Sequence, residues 1–450
     1  DSQYMMSAVV SYLLPTLIGQ IAHSFYCMAD VFFVGAAVGS DGLAALNVAL
    51  PVFTLFSAFS LMVGVGTATT ASILTGQGQT QQTNRVFTQS MVLLAVVGLT
   101  LTLLTSVFIV PLARVFGATD RILTEVVDYM RPINLLAFAY IFSGALGVII
   151  RADGNPKFAM VSTLMGAVIN IILDPLMIFG IGPFPQMGVA GAATATVLAQ
   201  AIVTAMFLLA ARREMTVFPQ IHIFQASQWR AWAEILKIGL PVSIQSMFFS
   251  GLSMILARLV AGWGDAAIAA QKVGSQIESI SYTTAEGFAT AVNAFIAQNF
   301  GAGRMERIRK GYWTAIGMIV VWSGFTTLML VVFPVPLFRI FIPDDHVLQT
   351  GVSYLRIMGY SQILMCLEIT SSGAFQGLGR PMPPTLAGII GNAARIPLAV
   401  FLSATVLGLD GVWWSISISS IAKGIVVFTW FVVILRRYTH RQAQGVDGLE

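Results

Sequence analysis

Leu14-Pro15-Thr16-Leu17-Ile18-Gly19-Gln20 opens a stretch that continues through small and apolar residues to Met28-Ala29-Asp30-Val31-Phe32-Phe33-Val34-Gly35. It predicts a membrane-crossing helix with a proline near its start and one carboxylate well inside the apolar run. A charged side chain at the centre of a spanning helix costs about 2.5–3.5 kcal/mol on insertion scales, and less toward the ends. Asp30 must therefore face protein or water, which makes it the first candidate for a functional role.

The rest of the chain has the same character. Hydrophobic residues make up 56% of the 450 and charged residues only 10%, whereas a soluble domain carries about 25% charge. A globular enzyme is excluded. Apolar runs fall at 10–36, 43–74, 87–116, 122–149, 157–181, 187–211, 233–262, 267–299, 311–342, 347–374, 383–408 and 411–435. Each holds the ~20 residues that a spanning helix needs, so twelve transmembrane helices are expected in an all-α polytopic protein. The net charge of +4 is spread over short loops, with no basic tail to hold nucleic acid. Cys27 and Cys366 lie inside apolar runs, which suits packing better than a disulfide or metal site. The chain begins at Asp1 and shows no charged n-region with a small-residue cleavage site, so no secretory signal is expected.

Basic residues fix the orientation. Arg85, Arg151, Lys157, Arg212, Arg213, Arg230, Arg304, Arg307, Arg309, Lys310 and Arg380 follow even-numbered spans, and Arg436, Arg437 and Arg441 follow the last. The loops after odd-numbered spans hold few bases and several acids, such as Asp41, Asp265, Asp344 and Asp410. The positive-inside rule puts both termini in the cytoplasm.

The two halves repeat. Leu14-Pro15-Thr16-Leu17-Ile18-Gly19-Gln20 answers Leu240-Pro241-Val242-Ser243-Ile244-Gln245, Tyr129-Met130-Arg131 answers Tyr354-Leu355-Arg356, and Gly154-Asn155-Pro156 answers Gly379-Arg380-Pro381. Six spans per half bring the second half in from the same side, so the repeat is parallel, about an axis along the membrane normal. Two pseudo-symmetric six-helix bundles facing a central cleft are expected: 1–211 and 233–436, joined by a linker at 212–232 and followed by a cytoplasmic tail at 437–450. Trp229, Trp232 and Ile235 at helical spacing beside Arg230 predict a short amphipathic helix at the inner surface.

The order of these motifs resembles the multidrug and toxic compound extrusion (MATE) family. Pro15 and Gln20, Asp30 through Gly35, Gly42-Leu43-Ala44-Ala45 with Pro51, Gly64 to Thr67, Arg151 to Pro156, Asn170 to Pro175, Gly188 to Ala193, Gln298 to Gly303, Gln376 to Pro381 and Arg395-Ile396-Pro397 carry the likeness. The acid in Asn170-Ile-Ile-Leu-Asp174-Pro resembles the prokaryotic DinF-like branch more than the NorM-like one. The resemblance implies a secondary active antiporter, not an enzyme. It would export amphipathic, mostly cationic organic compounds in exchange for H⁺ or Na⁺ by alternating access, as a monomer in the lipid bilayer and with no cofactor beyond the coupling ion.

Asn170 and Asp174 are i and i+4 and share one helix face. Pro175 removes a backbone donor and frees the carbonyl of Ile171 as a ligand. Asp30 and Asp174 both fall in the outer halves of outward-running spans and are expected to converge in one site of the N-terminal bundle. Two carboxylates in a low-dielectric site cannot both stay ionised comfortably. Such a pair takes up a proton or, with Asn170 and carbonyl oxygens alongside, Na⁺. The resemblance implies that loading this site reshapes the first helix and discharges the substrate. Alternatively, Asp30 and Asp174 are structural, tied to neighbouring helices by hydrogen bonds.

Tyr140 belongs to the same polar set, though packing also explains it. In the second half, Glu278, Gln245 and Met254 are candidates for substrate or a second cation, as is Gln20 in the first. Glu278, Glu286 and Glu368 share their bundle with Lys272, Arg395 and Lys423, which predicts internal ion pairs. Twenty methionines and thirty phenylalanines suit a surface that re-packs around different ligands. The chain lacks a Gly-x-x-x-x-Gly-Lys-Ser/Thr phosphate loop, and its four histidines have no metal spacing. The rival readings are a lipid-linked oligosaccharide flippase of the same superfamily, which would need an arginine-rich cleft, and a passive membrane channel.

Overall fold

A computed structural model describes residues 7, 10, 11, 14, 15, 18, 19, 22, 29, 30, 33, 34, 36–38, 40–116, 118–152, 156–214, 229–341 and 345–444. All regular structure among them is helical. The described residues of the leading segment, Leu14, Pro15, Ile18, Gly19, Ala22, Ala29 and Asp30 among them, have helical backbone. Gln20 and Cys27 lie outside the described residues, as does most of the 212–232 linker.

The helices that follow are α1 (Ser40–Gly76), α2 (Thr80–Val107), α3 (Ile109–Val115), α4 (Leu123–Leu135), α5 (Ala137–Ala152), α6 (Pro156–Phe179), α7 (Val189–Glu214), α8 (Trp229–Ala261), α9 (Asp265–Gly301), α10 (Met305–Val332), α11 (Pro334–Phe341), α12 (Asp345–Gly359), α13 (Gln362–Gly377), α14 (Met382–Ser403) and α15 (Leu409–Ala443).

The internal repeat is visible in these lengths. α1 and α9 each have 37 residues, α2 and α10 each have 28, and both of the latter break into a short helix of 7 or 8 residues. The breaks have a local cause. Phe108 (φ −100°, ψ 32°) and Phe333 (φ −120°, ψ 44°) leave helical geometry just before Pro111 and Pro334, where a proline without an N–H cannot continue the ladder. The fourth span is likewise two helices, α4 and α5, bent by 59° at Leu136. Pro132 lies one turn before that bend.

Eight helices among the described residues are long and apolar enough to cross a membrane, or nine with the bent pair counted as one span. The expected twelve differ from this count for physical reasons. The first span falls largely outside the described residues. The tenth is split between α12 and α13, of 15 and 16 residues, and α9 is long but studded with Lys272, Glu278 and Glu286. Outward-facing apolar stripes mark the lipid surface. Leu99, Leu103 and Val107 follow one face of α2 at helical spacing, and each is more than 60% exposed.

The chain divides into two compact units, Leu14–Thr75 with Gln79–Ser243, and Ile244–Glu450 with Asp1–Leu13 and Gly76–Gly78. The first has a core around Phe56, Leu94, Met130, Ile133, Ile141, Leu146 and Phe207. The second is built on aromatic residues. Tyr312 and Phe375 pack against Phe431 at ring distances of 4.4 and 5.1 Å, and Trp413 meets Tyr354 edge-on at 4.7 Å.

Trp232 and Ile235 do not form the separate surface helix that their spacing suggests. The helix runs on from them without interruption, through Gly239 and Pro241, so they are the first turns of the 33-residue α8. Ile235 is fully buried, and the Trp232 indole donates to Gln89 Oε1 at 2.9 Å. Close contact between α8 and α1 depends on glycine. A Cβ at Gly239 would collide with the Met62 backbone, and one at Gly66 with the Ile235 carbonyl. Gly239→Val is expected to lower the melting temperature of the detergent-purified protein, corresponding to about 1–3 kcal/mol of overpacking. Gly251→Val on the same helix, with nothing within 4 Å of the new Cβ, should stay within about 0.5 kcal/mol of the parent.

Candidate functional site

α6 supplies Asn170 and Asp174 from one face, and the helical leading segment supplies Asp30. All three side chains are buried, at 1%, 0% and 6% exposure. The two carboxyl groups lie within hydrogen-bonding contact of each other. In the amide orientation that satisfies the site, Asn170 Nδ2 donates to both acids, 3.3 Å from Asp30 Oδ1 and 3.2 and 3.3 Å from the Asp174 oxygens. From α7, the Thr196 hydroxyl donates to Asp30 Oδ2 at 3.1 Å and lies 3.4 Å from the Asn170 amide. Three elements distant in sequence thus meet at four polar side chains. No group of three or more His, Cys, Asp or Glu residues suited to a metal ion occurs among the described residues.

Thr196 escaped the sequence reading. Its signal is faint, one hydroxyl in the small-residue run Ala192-Ala193-Thr194-Ala195-Thr196, where Thr194 is an equal candidate. Only the register of α7 separates them: both hydroxyls lie within hydrogen-bond distance of the carbonyl one turn back, Ala190 at 2.7 Å and Ala192 at 3.0 Å, but Thr196 alone also faces Asp30.

Next to this cluster is a cavity of about 300 Å³ lined by Ser57, Tyr140, Ser143, Arg151, Asn170 and Gln200, among others. Asn170 belongs to both. Tyr140 lies on the cavity wall, away from the acids, with its ring against Phe53 and Phe56 at 5.5 and 6.2 Å and its hydroxyl 3.5 Å from Ser57 Oγ.

The other described candidates, Glu278, Gln245 and Met254, belong to the second unit. Glu278 Oε1 accepts from Gln362 Nε2 at 3.1 Å and its Oε2 from the Tyr354 hydroxyl at 3.3 Å. The expected internal ion pairs are absent among the described residues, where the salt bridges all lie at exposed positions. Neutral partners take the bases instead. Arg395 donates to Ser419 and Ser420, and Lys423 donates to Asn392 Oδ1 at 2.9 Å. Serines and an asparagine one helix away offer shorter reach than the acids, so the charges act on one another only at longer range. Gln245 packs against α14 at Gly388, and Met254 is exposed on α8, so neither joins Glu278 in a common cluster.

The MatE family pattern matches residues 15–176 and again 241–401, one match per half. This chain belongs to the MatE family. These are transporters, not enzymes. The chain is 28% identical to an "FAD transporter" of Shewanella oneidensis, over 92% of each chain. It is 26% identical to the "Multidrug export protein MepA" of Staphylococcus aureus, over 99% of this chain and 97% of that one. Among solved structures, a MATE protein in its bent conformation superimposes with a TM-score of 0.90 at 24% identity, covering 98% of this chain and 97% of that one. An outward-facing multidrug resistance MATE transporter gives 0.88 at 24% identity over 96% of each chain, which shows the shared fold. The protein is therefore an all-helical, multi-pass membrane transporter.

The site's neutral donors carry a stability expectation. Thr196→Val removes one of the two side chains that donate to Asp30 and should cost about 1.5–3 kcal/mol, the range for hydrogen bonds to charged groups. Thr196→Ser keeps the hydroxyl and should melt close to the parent in detergent.

Proposed function

We propose that this MatE transporter is a cation-driven antiporter of the DinF-like branch. It exports amphipathic organic compounds, mostly cationic, from the cytoplasm across a prokaryotic plasma membrane, with both termini inside. The observation that carries the reading is the buried Asp30–Asp174 pair, whose partners among the described residues are the neutral Asn170 and Thr196, with no basic side chain paired to it there. Two carboxylates in such a place require a positive charge between them, either a proton or a hard cation. Supplying that charge from outside and losing it inside couples the site to the ion gradient.

The donor set distinguishes the two ions. With the Asn170 amide nitrogen facing both acids, the site suits one proton held between carboxylates. Na⁺ needs oxygens, so the amide would have to turn its Oδ1 inward, joining Thr196 Oγ1, the carboxylates and the Ile171 carbonyl freed by Pro175. Asn170 also lines the neighbouring cavity, so loading of the acids reaches a bound substrate through a single side chain. Multidrug export by MepA and the cargo of the FAD transporter agree with an organic substrate. Glu278, with two neutral donors, is a reserve cation site in the second unit.

Efflux of ethidium from proteoliposomes under separately imposed proton and sodium gradients tests the reading. One gradient should drive efflux, and Asp30→Asn should abolish it while leaving the protein folded. Normal efflux by Asp30→Asn under both gradients would make Asp30 structural and sink the proposal.

A further inference from the structure

Arg151 closes α5 at the end of the cavity away from the acids. A Cβ at Gly19 would lie 3.7 Å from an Arg151 guanidinium nitrogen and 4.0 Å from the Thr163 side chain, which places that guanidinium at the level of Thr163. Thr163 and Asn170 both line the cavity from α6, seven residues apart, so the guanidinium and the Asn170 amide mark ends separated by about 10 Å. The Nε of Arg151 is buried without a hydrogen-bond partner, and no acid among the described residues lies within ion-pair distance of the side chain. The remainder of the guanidinium presents surface to the cavity.

A guanidinium partly withdrawn from water without a counter-charge is costly, and a bound anion offsets that cost. The bases of the second unit do not share this condition, since Arg395 and Lys423 each have polar partners. Arginine presents five donors in a rigid fork that matches a carboxylate or phosphate two bonds at a time. The walls around it suit the rest of such a molecule. Tyr140 and Phe207 supply aromatic surface, and Ser57, Ser143 and Gln200 supply a polar strip. Gly144, Gly147 and Gly166 withhold side chains from the space.

We propose that Arg151 makes its end of the cavity an oxyanion subsite, so that compounds with a carboxylate or phosphate on an aromatic body are among those carried and are the ones held most tightly in this cavity. This narrows the substrate class and rests on the transport reading above. A plain cation does not call on Arg151, whereas a zwitterionic amphipath engages both ends of the cavity. Its oxyanion then lies on Arg151, and its amine about 10 Å away, toward Asn170 and the acid pair.

The test is equilibrium binding by calorimetry to the detergent-purified full chain, with probes that share one ring system: 2-naphthoate, 2-naphthyl phosphate and 2-naphthylmethylamine. Dihexanoyl phosphatidate serves as a lipid source of the same phosphate. The naphthyl anions should bind the parent more tightly than the amine. Arg151→Gln should weaken them about tenfold or more, as loss of a charge-assisted pair does, without weakening the amine, and Arg151→Lys should recover part of the loss. Gly147→Val is the variant that keeps the guanidinium. Its Cβ meets nothing nearer than Phe207 at 3.9 Å, so it folds yet fills space, and it should weaken all three naphthyl probes together.

Should Arg151→Gln fail to fold, the parent's preference among the probes decides. An anion preference that Gly147→Val reduces sustains the subsite. Equal anion affinities in the parent and Arg151→Gln would overturn it. So would tighter binding of the amine than of either anion, or binding of the phosphatidate alone, which would mark a lipid site. Because no ion gradient is involved, a failure here leaves the coupling role of Asp30 standing, and a failure of the efflux experiment leaves this one readable.

Discussion

Two carboxyl groups in hydrogen-bonding contact, both buried and with no basic side chain paired to them among the described residues, are the constraint on which the N-terminal unit turns. Asp30 hangs on a leading helix whose tie at this site is hydrogen bonding to α6 and α7 through Asn170, Asp174 and Thr196. When a proton or cation sits between the acids, the three helices are held together. When it leaves, like charges face each other in low dielectric and the arrangement becomes unfavourable. On the proposed reading, an ion gradient acts on the leading segment by supplying the positive charge that this pair needs.

The repeat sharpens this point. The halves reproduce each other's helix lengths and the breaks after α2 and α10, but not their buried chemistry. Asn170-Ile171-Ile172-Leu173 in the first half stands where the second has Arg395-Ile396-Pro397-Leu398. One half places a neutral amide among acids and requires a charge from outside. The other carries a permanent guanidinium at the matching position, satisfied by Ser419 and Ser420, with Lys423 close behind on Asn392. The second unit therefore has its positive charge built in. On the proposed reading, this asymmetry is the reason for placing ion coupling in the first half.

Much of this was legible in the sequence. Apolar runs of spanning length, the basic loops and the offset of about 225 residues define an all-helical, two-part membrane protein, because hydrophobicity in lipid is a strong and local signal. Asp30 and Asp174 stand out because a charge in an apolar run is costly wherever it points. What stayed hidden depends on helix rotation and reach. The choice of Thr196 over Thr194 is a matter of register. The continuity of Trp232 and Ile235 with α8 depends on packing against α1 through Gly66 and Gly239, which the amphipathic pattern does not reveal. The second unit's bases found serines and an asparagine instead of acids, a choice decided by side-chain distance and not by composition. Pro111-Leu112-Ala113-Arg114 and Pro336-Leu337-Phe338-Arg339 repeat at the same offset and mark the helix breaks. That signal was present and is now interpretable.

The central claim is that the Asp30–Asp174 pair holds the coupling ion and gives it up as substrate binds. The most direct measurement counts ions without transport: protons released, by indicator dye, and ²²Na⁺ displaced, when ethidium is added to the detergent-purified protein. The account requires that the parent release one of the two ions and that the double variant Asp30→Asn/Asp174→Asn, still binding ethidium, release neither. Equal release by parent and double variant would contradict it and move the coupling charge to another part of the molecule.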